Sequence, residues 1–194
     1  MMIAITNKCC EGAIEVATIL SHGIAALALA KVFTGERMPM RFWAASAACA
    51  MLPDIDVIGF GFGIHYGDML GHRGLTHSLA FALLIGIATV ALLFREASPF
   101  SRSWFSMIIY FFVVTASHGV LDALTNGGLG VAFFAPFSNT RYFFSWRPIE
   151  VSPIGLDFFA SRGGLVILSE AVWIWIPSAL IISGAWMVRR IARH

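Results

Sequence analysis

Long apolar runs broken by short polar stretches dominate this sequence. A helix that crosses the hydrocarbon core of a bilayer needs about 20 mostly apolar residues. Residues 13–33 meet that length, interrupted only by small residues and His22. Residues 75–94 and 104–124 meet it too, the second carrying His118 and Asp122 near its end. So do residues 165–188, with Glu170 near one end and Pro177 inside. Residues 42–52 are only 11 residues, too short to span alone, and stop at Pro53 ahead of Asp54 and Asp56. Residues 131–137 form a short apolar stretch that predicts a re-entrant or interfacial segment. The pattern predicts an all-α fold: a polytopic membrane helix bundle of about five hydrophobic segments, one of them short or re-entrant. It forms a single membrane-embedded domain over residues 1–194.

Composition sharpens this picture. The chain is 58% hydrophobic and 12% charged, where soluble domains carry roughly 25% charged residues. That excludes a disordered chain, a basic nucleic-acid arm and an ordinary soluble domain. A net charge of +2 offers no footprint for a polyanion, so no nucleic-acid partner is expected. The three cysteines make no disulfide framework, and adjacent Cys9 and Cys10 read as apolar filler. The first segment has a rival reading. Lys8, the apolar run and Ala28-Leu29-Ala30 resemble a cleaved signal peptide. Glu11 and Glu15 stand where such a peptide wants positive charge, which favours a membrane helix.

Charge also sets an expected orientation. With Arg189, Arg190 and Arg193 in the cytoplasm, Lys31, Arg37, Arg41, Arg95 and Arg102 fall on the same side. Lys8, Arg73, Arg141, Arg147 and Arg162 fall outside, an asymmetry that follows the positive-inside rule. This assignment counts the short second segment as a crossing. Asp54, Asp56, His72, His77, His118, Asp122 and Glu170 then collect at the outer ends of their segments, and His22 can face the same interior. Ionisable groups at membrane depth are costly and usually face a bundle interior or a wet cavity. One polar pocket at the outer face is expected.

The candidate chemistry sits in five short stretches. His118 and Asp122 are at i and i+4, on one helix face, where they can share an ion or orient one another. Asp54 and Asp56 are at i and i+2, and point to the same side if the backbone after Pro53 is extended. His72 and His77, at i and i+5, need the bend that Gly74 supplies, and Thr76 or Ser78 can cap the next helix. Arg73 between them can match phosphate oxygens, as a substrate clamp or transition-state stabiliser. Asn126-Gly127-Gly128 follows closely after Asp122. Ser21-His22-Gly23, Thr76-His77-Ser78 and Ser117-His118-Gly119 repeat hydroxyl, His, small residue. Small neighbours let helices approach and bring imidazoles together. His65, Asp68, Glu150 and Asp157 read as loop residues, and Glu170 as a helix-start residue interacting with the dipole. Four imidazoles and three carboxylates exceed one ion and suit two or three. That donor set favours zinc over magnesium or manganese, although other divalent metals remain open.

Pro53-Asp54-Ile55-Asp56, Gly71-His72-Arg73-Gly74-Leu75-Thr76-His77-Ser78, and Ser117-His118 with Asp122 resemble the YdjM-like family. That family is described as inner-membrane-associated, metal-dependent hydrolases. The similarity runs from about Ser21 to Pro153, with early His22, the Thr125–Gly128 region and Pro136 also fitting. It is distantly similar to the zinc-dependent phospholipase C and P1 nuclease group. The resemblance implies phosphoester hydrolysis in the inner membrane. The expected site has His22, Asp54, Asp56, His72, His77, His118 and Asp122 as metal ligands. Asp54 or Asp56 serves as general base and Arg73 steadies the phosphate. The expected partners are membrane lipid and an amphiphilic substrate, a phospholipid or polyprenyl-type phosphate. Two alternatives stay open: a metal-ion or proton-coupled transporter using the same cluster, and a structural protein whose polar residues pin helices together.

Overall fold

The structure, a computed structural model, describes residues 2–5, 15–16, 18–34, 38–153 and 163–192. Cys9, Cys10, Lys8, Glu11, Arg37, Asp157, Arg162, Arg193 and His194 lie outside the described residues. The chain is an all-α bundle. Its helices are α1 (Ile19–Phe33), α2 (Met40–Met51), α3 (Leu79–Leu93), α4 (Arg102–Ala123) and α5 (Gly163–Ile191). Ala28 and Ala30, the would-be cleavage site, are buried inside α1.

The second segment is longer than its apolar run. Pro53 has no amide to continue the α-helical ladder and its ring clashes with the preceding turn. The chain does not stop there. It tightens into a 3-10 helix, Leu52–Phe62, that carries on from α2. Met40–Phe62 is thus 23 residues, long and apolar enough to cross a membrane. Asp54 and Asp56 therefore stand on a helix, not on the extended backbone expected for them. Residues three apart eclipse on a 3-10 helix. Ile55 and Ile58 form the outer stripe, 54% and 57% exposed, and both carboxylates turn inward.

Ser78 and Ser101 cap α3 and α4, accepting the amides of Phe81 and Trp104. Gly86 lets α3 and α4 touch: a Cβ there would lie 3.0 Å from the Ile108 carbonyl oxygen and the Phe112 nitrogen. Between α1, α2, α3 and α4 the interior is apolar and aromatic. Fully buried Phe42 packs on Tyr110 and Phe111 at ring separations of 4.9 and 5.7 Å. In lipid such close packing, and not expulsion of water, holds helices together.

Residues 131–137 form a turn with no helix. Val131 pairs with Tyr142, and Val131, Ala132 and Phe133 are buried. Phe134 and Phe137 project outward, Phe137 at 91% exposure. Two small strand pairs, not signalled by the apolar pattern, flank this loop. β1 (Met2–Ile5) pairs antiparallel with β3 (Arg141–Phe144), Met2 opposite Phe144 and Ile5 opposite Arg141. β2 (Glu15–Val16) pairs with β4 (Ser152–Pro153).

Glu170 corrects another expectation. It lies one step before a π-helical turn, Ala171–Trp175, within α5, and is fully buried. It serves the dipole of α1, not that of its own helix. Its carboxylate accepts the Thr18 amide (2.6 Å), the Thr18 hydroxyl (2.5 Å) and the Ser21 hydroxyl (2.8 Å). Trp175 Nε1 donates to the same Ser21 hydroxyl at 2.7 Å. An anion is favoured at a helix N-terminus, so Glu170 fastens α1 to α5 one residue from His22.

Candidate metal centre

Four parts of the chain deliver polar side chains to one end of the bundle. α1 brings His22, the 3-10 helix brings Asp54 and Asp56, the loop before α3 brings His72, Arg73 and His77, and α4 brings His118 and Asp122. All are buried, Asp54 being the most exposed at 9%. Glu170 does not join them, because α1 takes its carboxylate. Exposed His65 faces Asp68 at 3.6 Å, away from the centre.

The His72–His77 loop is folded tightly. A Cβ at Gly71 would collide with the carbonyl oxygens of His65 and Tyr66, and one at Gly74 with that of Met69. Arg141, read from sequence as an outer charge, is buried here. Its guanidinium donates to the carbonyls of His72 (2.8 Å), Tyr66 (2.9 Å) and Asp68 (3.0 Å). It also lies over the Tyr66 ring, whose edge meets His72 at 5.1 Å. Burial pushes the Tyr66 phenol up and the Arg141 guanidinium down from their usual pKa values. Arg141 sits in a strand whose residues alternate between buried and half-buried, and the apolar pattern of the sequence does not signal this role.

Asp54, His77, His118 and Asp122 form a first group. His118 Nε2 is 3.2 Å from Asp54 Oδ1 and 3.6 Å from Asp122 Oδ2. His77 Nε2 is 3.6 Å from Asp54 Oδ1 and 3.2 Å from Asp122 Oδ2. These are four edges of a cage with alternating nitrogen and oxygen corners. Ligands at about 2.0–2.1 Å from a tetrahedral ion are themselves about 3.3 Å apart, so the cage has the dimensions of a metal site. His118 Nδ1 donates to the Ala50 carbonyl at 2.6 Å, which turns the Nε2 lone pair into the cage. His77 Nε2 and Asp122 Oδ2 make no hydrogen bond among the described residues. Buried polar atoms without hydrogen bonds are costly; a cation would satisfy His77 Nε2 and would join Arg73 Nε, 3.3 Å away, in compensating Asp122 Oδ2. The residues present fit one.

Asp56, His72 and His77 form a second group. Here the hydrogen bonds to the carboxylate close within the group, while His72 Nε2 is buried without a hydrogen bond among the described residues. Asp56 Oδ1 accepts His72 Nδ1 at 2.7 Å, and Oδ2 accepts the Thr76 hydroxyl at 2.6 Å with His77 Nδ1 at 3.2 Å. Carboxylates placed behind imidazoles in this way fix the tautomer and aim the other nitrogen. For His77 that other nitrogen is the one in the first cage. A neutral imidazole has one lone pair, so His77 serves one group or the other.

His22 and Arg73 flank the cage. The His22 ring stacks on His118 at 3.7 Å and 16°, with His77 edge-on to His118 at 4.7 Å. The three imidazoles of the repeated hydroxyl-His-small pattern thus meet. His22 Nε2 is 3.7 Å from Asp122 Oδ1, and neither ring nitrogen makes a hydrogen bond among the described residues. Arg73, at φ +59°, turns its guanidinium onto Asp122, Nε to Oδ2 at 3.3 Å and Nη2 to Oδ1 at 3.4 Å. Its Nη1 donates to the Thr125 hydroxyl and the Gly127 carbonyl. Gly128, at φ +79°, gives it room: a Cβ there would lie 2.8 Å from Arg73 Nη1.

Comparison with known proteins places the chain among bacterial inner-membrane proteins. The sequence profile of the family described as "YdjM inner membrane protein" matches residues 17–192. "Inner membrane protein YbcI" of Escherichia coli (strain K12) is 36% identical over 179 residues, covering 89% of this chain and 99% of that protein. No solved structure matches the chain.

Proposed function

The chain belongs to the YdjM inner membrane protein family, and from its site we propose a membrane-bound, metal-dependent hydrolase of phosphoesters. The observation that carries this reading is the cage of Asp54, His77, His118 and Asp122, with ligand atoms at metal-site spacing and buried atoms lacking hydrogen bonds. Two imidazoles and one carboxylate, with the Asp54 carboxylate beside them, suit zinc, and other divalent ions less well. A bound divalent cation would polarise the phosphoryl oxygens and lower the pKa of water towards roughly 7. Since His77 is shared, the first group is the one assigned to an ion. A second ion would have to draw on His72 or His22.

His77, His118 and Asp122 hold the ion, the His/His/carboxylate set common to catalytic zinc sites. Asp54 sits at the cage's most exposed edge and takes the proton of the attacking water. Asp56 does not compete for that role, because both its oxygens accept hydrogen bonds. Arg73 steadies Asp122 in this account in place of gripping the substrate. A site at the end of a lipid-embedded bundle meets head groups first, so the substrate is an amphiphilic phosphate, a phospholipid or a polyprenyl-type phosphate. Lys31, Arg41, Arg95, Arg102, Arg189 and Arg190 gather at the opposite end, which by the positive-inside rule supports a site on the extracytoplasmic side.

The interior beyond the cage favours a hydrolase over a transporter. It is filled by Ala26, Ala30, Phe42, Val90 and Phe111. Polar groups there pair with one another, Ser46 with Tyr110 and Cys49 with Thr89. The test is phosphate or head-group release from a phosphate amphiphile by detergent-purified protein, with and without chelator, beside His118→Ala. Turnover lost to both supports the reading, and undiminished turnover in either contradicts it.

A further inference from the structure

The end of the bundle away from the cage carries a second feature, independent of any hydrolysis. α1 and α4 diverge there to leave a lipid-facing groove of about 530 Å³. Its walls are apolar, among them Leu29, Phe33, Phe105 and Ile109, and Arg102 lines it where α4 begins. Arg102 is exposed and has no carboxylate partner among the described residues. Arg189 does not line the groove; its Nη2 donates to the carbonyls of Lys31 and Val32 at the end of α1. Among the described residues, Glu96 at this end of the bundle is held by Arg41.

An apolar slot with the Arg102 guanidinium lining it matches one occupant, a phospholipid with an anionic head group. Its acyl chain fills the slot and its phosphate meets Arg102. Basic pockets between membrane helices bind anionic head groups in this way. α1 adds a geometric reason. Its 15 residues extend about 22 Å, short of a hydrocarbon core of about 30 Å, so a head group must come down to meet its end. We infer that the α1–α4 groove is a binding site for an anionic phospholipid, seated on Arg102 at the end of the bundle opposite the metal cage.

The experiment uses the full chain in detergent, supplied with phosphatidylglycerol or phosphatidylcholine of matched chains, with bound lipid counted by native mass spectrometry. Wild type should retain phosphatidylglycerol preferentially. Arg102→Gln should cut that preference about fivefold, whereas Arg102→Lys should keep most of it. Ile109→Trp, which fills the slot, should lower retention of both lipids, and melting curves for each variant show that it is folded. Equal retention of the two lipids by wild type overturns the proposal. So does a preference that Arg102→Gln leaves unchanged, or retention that Ile109→Trp leaves unchanged.

Discussion

Two His/Asp groups lie side by side in this molecule, share His77, and behave differently. In the group of Asp54, His77, His118 and Asp122, nitrogen and oxygen corners face one another across 3.2–3.6 Å. Two of those corner atoms have no hydrogen bond among the described residues. In the group of Asp56, His72 and His77 the carboxylate is consumed by two imidazole Nδ1 atoms and the Thr76 hydroxyl. The same residue types thus make a receptor in one place and a brace in the other. The difference rests on which imidazole nitrogen faces the acid. Nδ1 against a carboxylate orients a ring, and Nε2 against a carboxylate leaves a lone pair and an anion that a cation can join.

Substitutions can break that distinction. The largest effect is expected for His118→Ala and Asp122→Asn, which should reduce bound zinc after loading and desalting to background, read by elemental analysis. Next comes Asp54→Asn. It should keep the ion but slow phosphoester turnover by about 10²- to 10⁴-fold, the contribution of a lost general base. Asp56→Asn should leave a site that still binds metal, weakened by about 10- to 100-fold in a competition titration, as for other residues behind a ligand. His72→Ala should have the smallest effect, weaker than Asp56→Asn, because its ring reaches the cage only at second hand, through Asp56 and an edge-on contact with His77 at 5.3 Å. Were His72→Ala to empty the site as completely as His118→Ala, the brace would be a ligand group and the contrast would fail.

Much of this arrangement was legible in the sequence. Apolar run length foretold about five hydrophobic segments, and their alternation foretold that Asp54, Asp56, His72, His77, His118 and Asp122 reach one end of the bundle, with His22 able to face the same interior. The i, i+4 spacing put His118 and Asp122 on one face, as observed. What stayed hidden depends on contacts far apart in the chain. Pro53 reads as a stop, yet the 3-10 helix carries the chain past it because that tighter ladder continues from α2 without the missing amide. Glu170 reads as a cap for its own helix, but its acceptors serve Thr18 and Ser21, some 150 positions away. Arg141 reads only as a charge on the outer side, yet it is buried and ties down the His72 loop, because a folded loop exposes carbonyls that a buried donor satisfies. Asp54 and Asp56 are indistinguishable by spacing. Their different duties come from the partners that the 3-10 helix turns them toward.

The most direct test is X-ray absorption at the zinc edge on the full-length protein in detergent, after zinc loading and removal of excess ion. The account predicts one zinc per chain, with two imidazole nitrogens and oxygen ligands at about 2.0–2.1 Å, a signal that His118→Ala abolishes. A chain that retains no zinc, or a spectrum that stays the same when His118 is replaced, would contradict it.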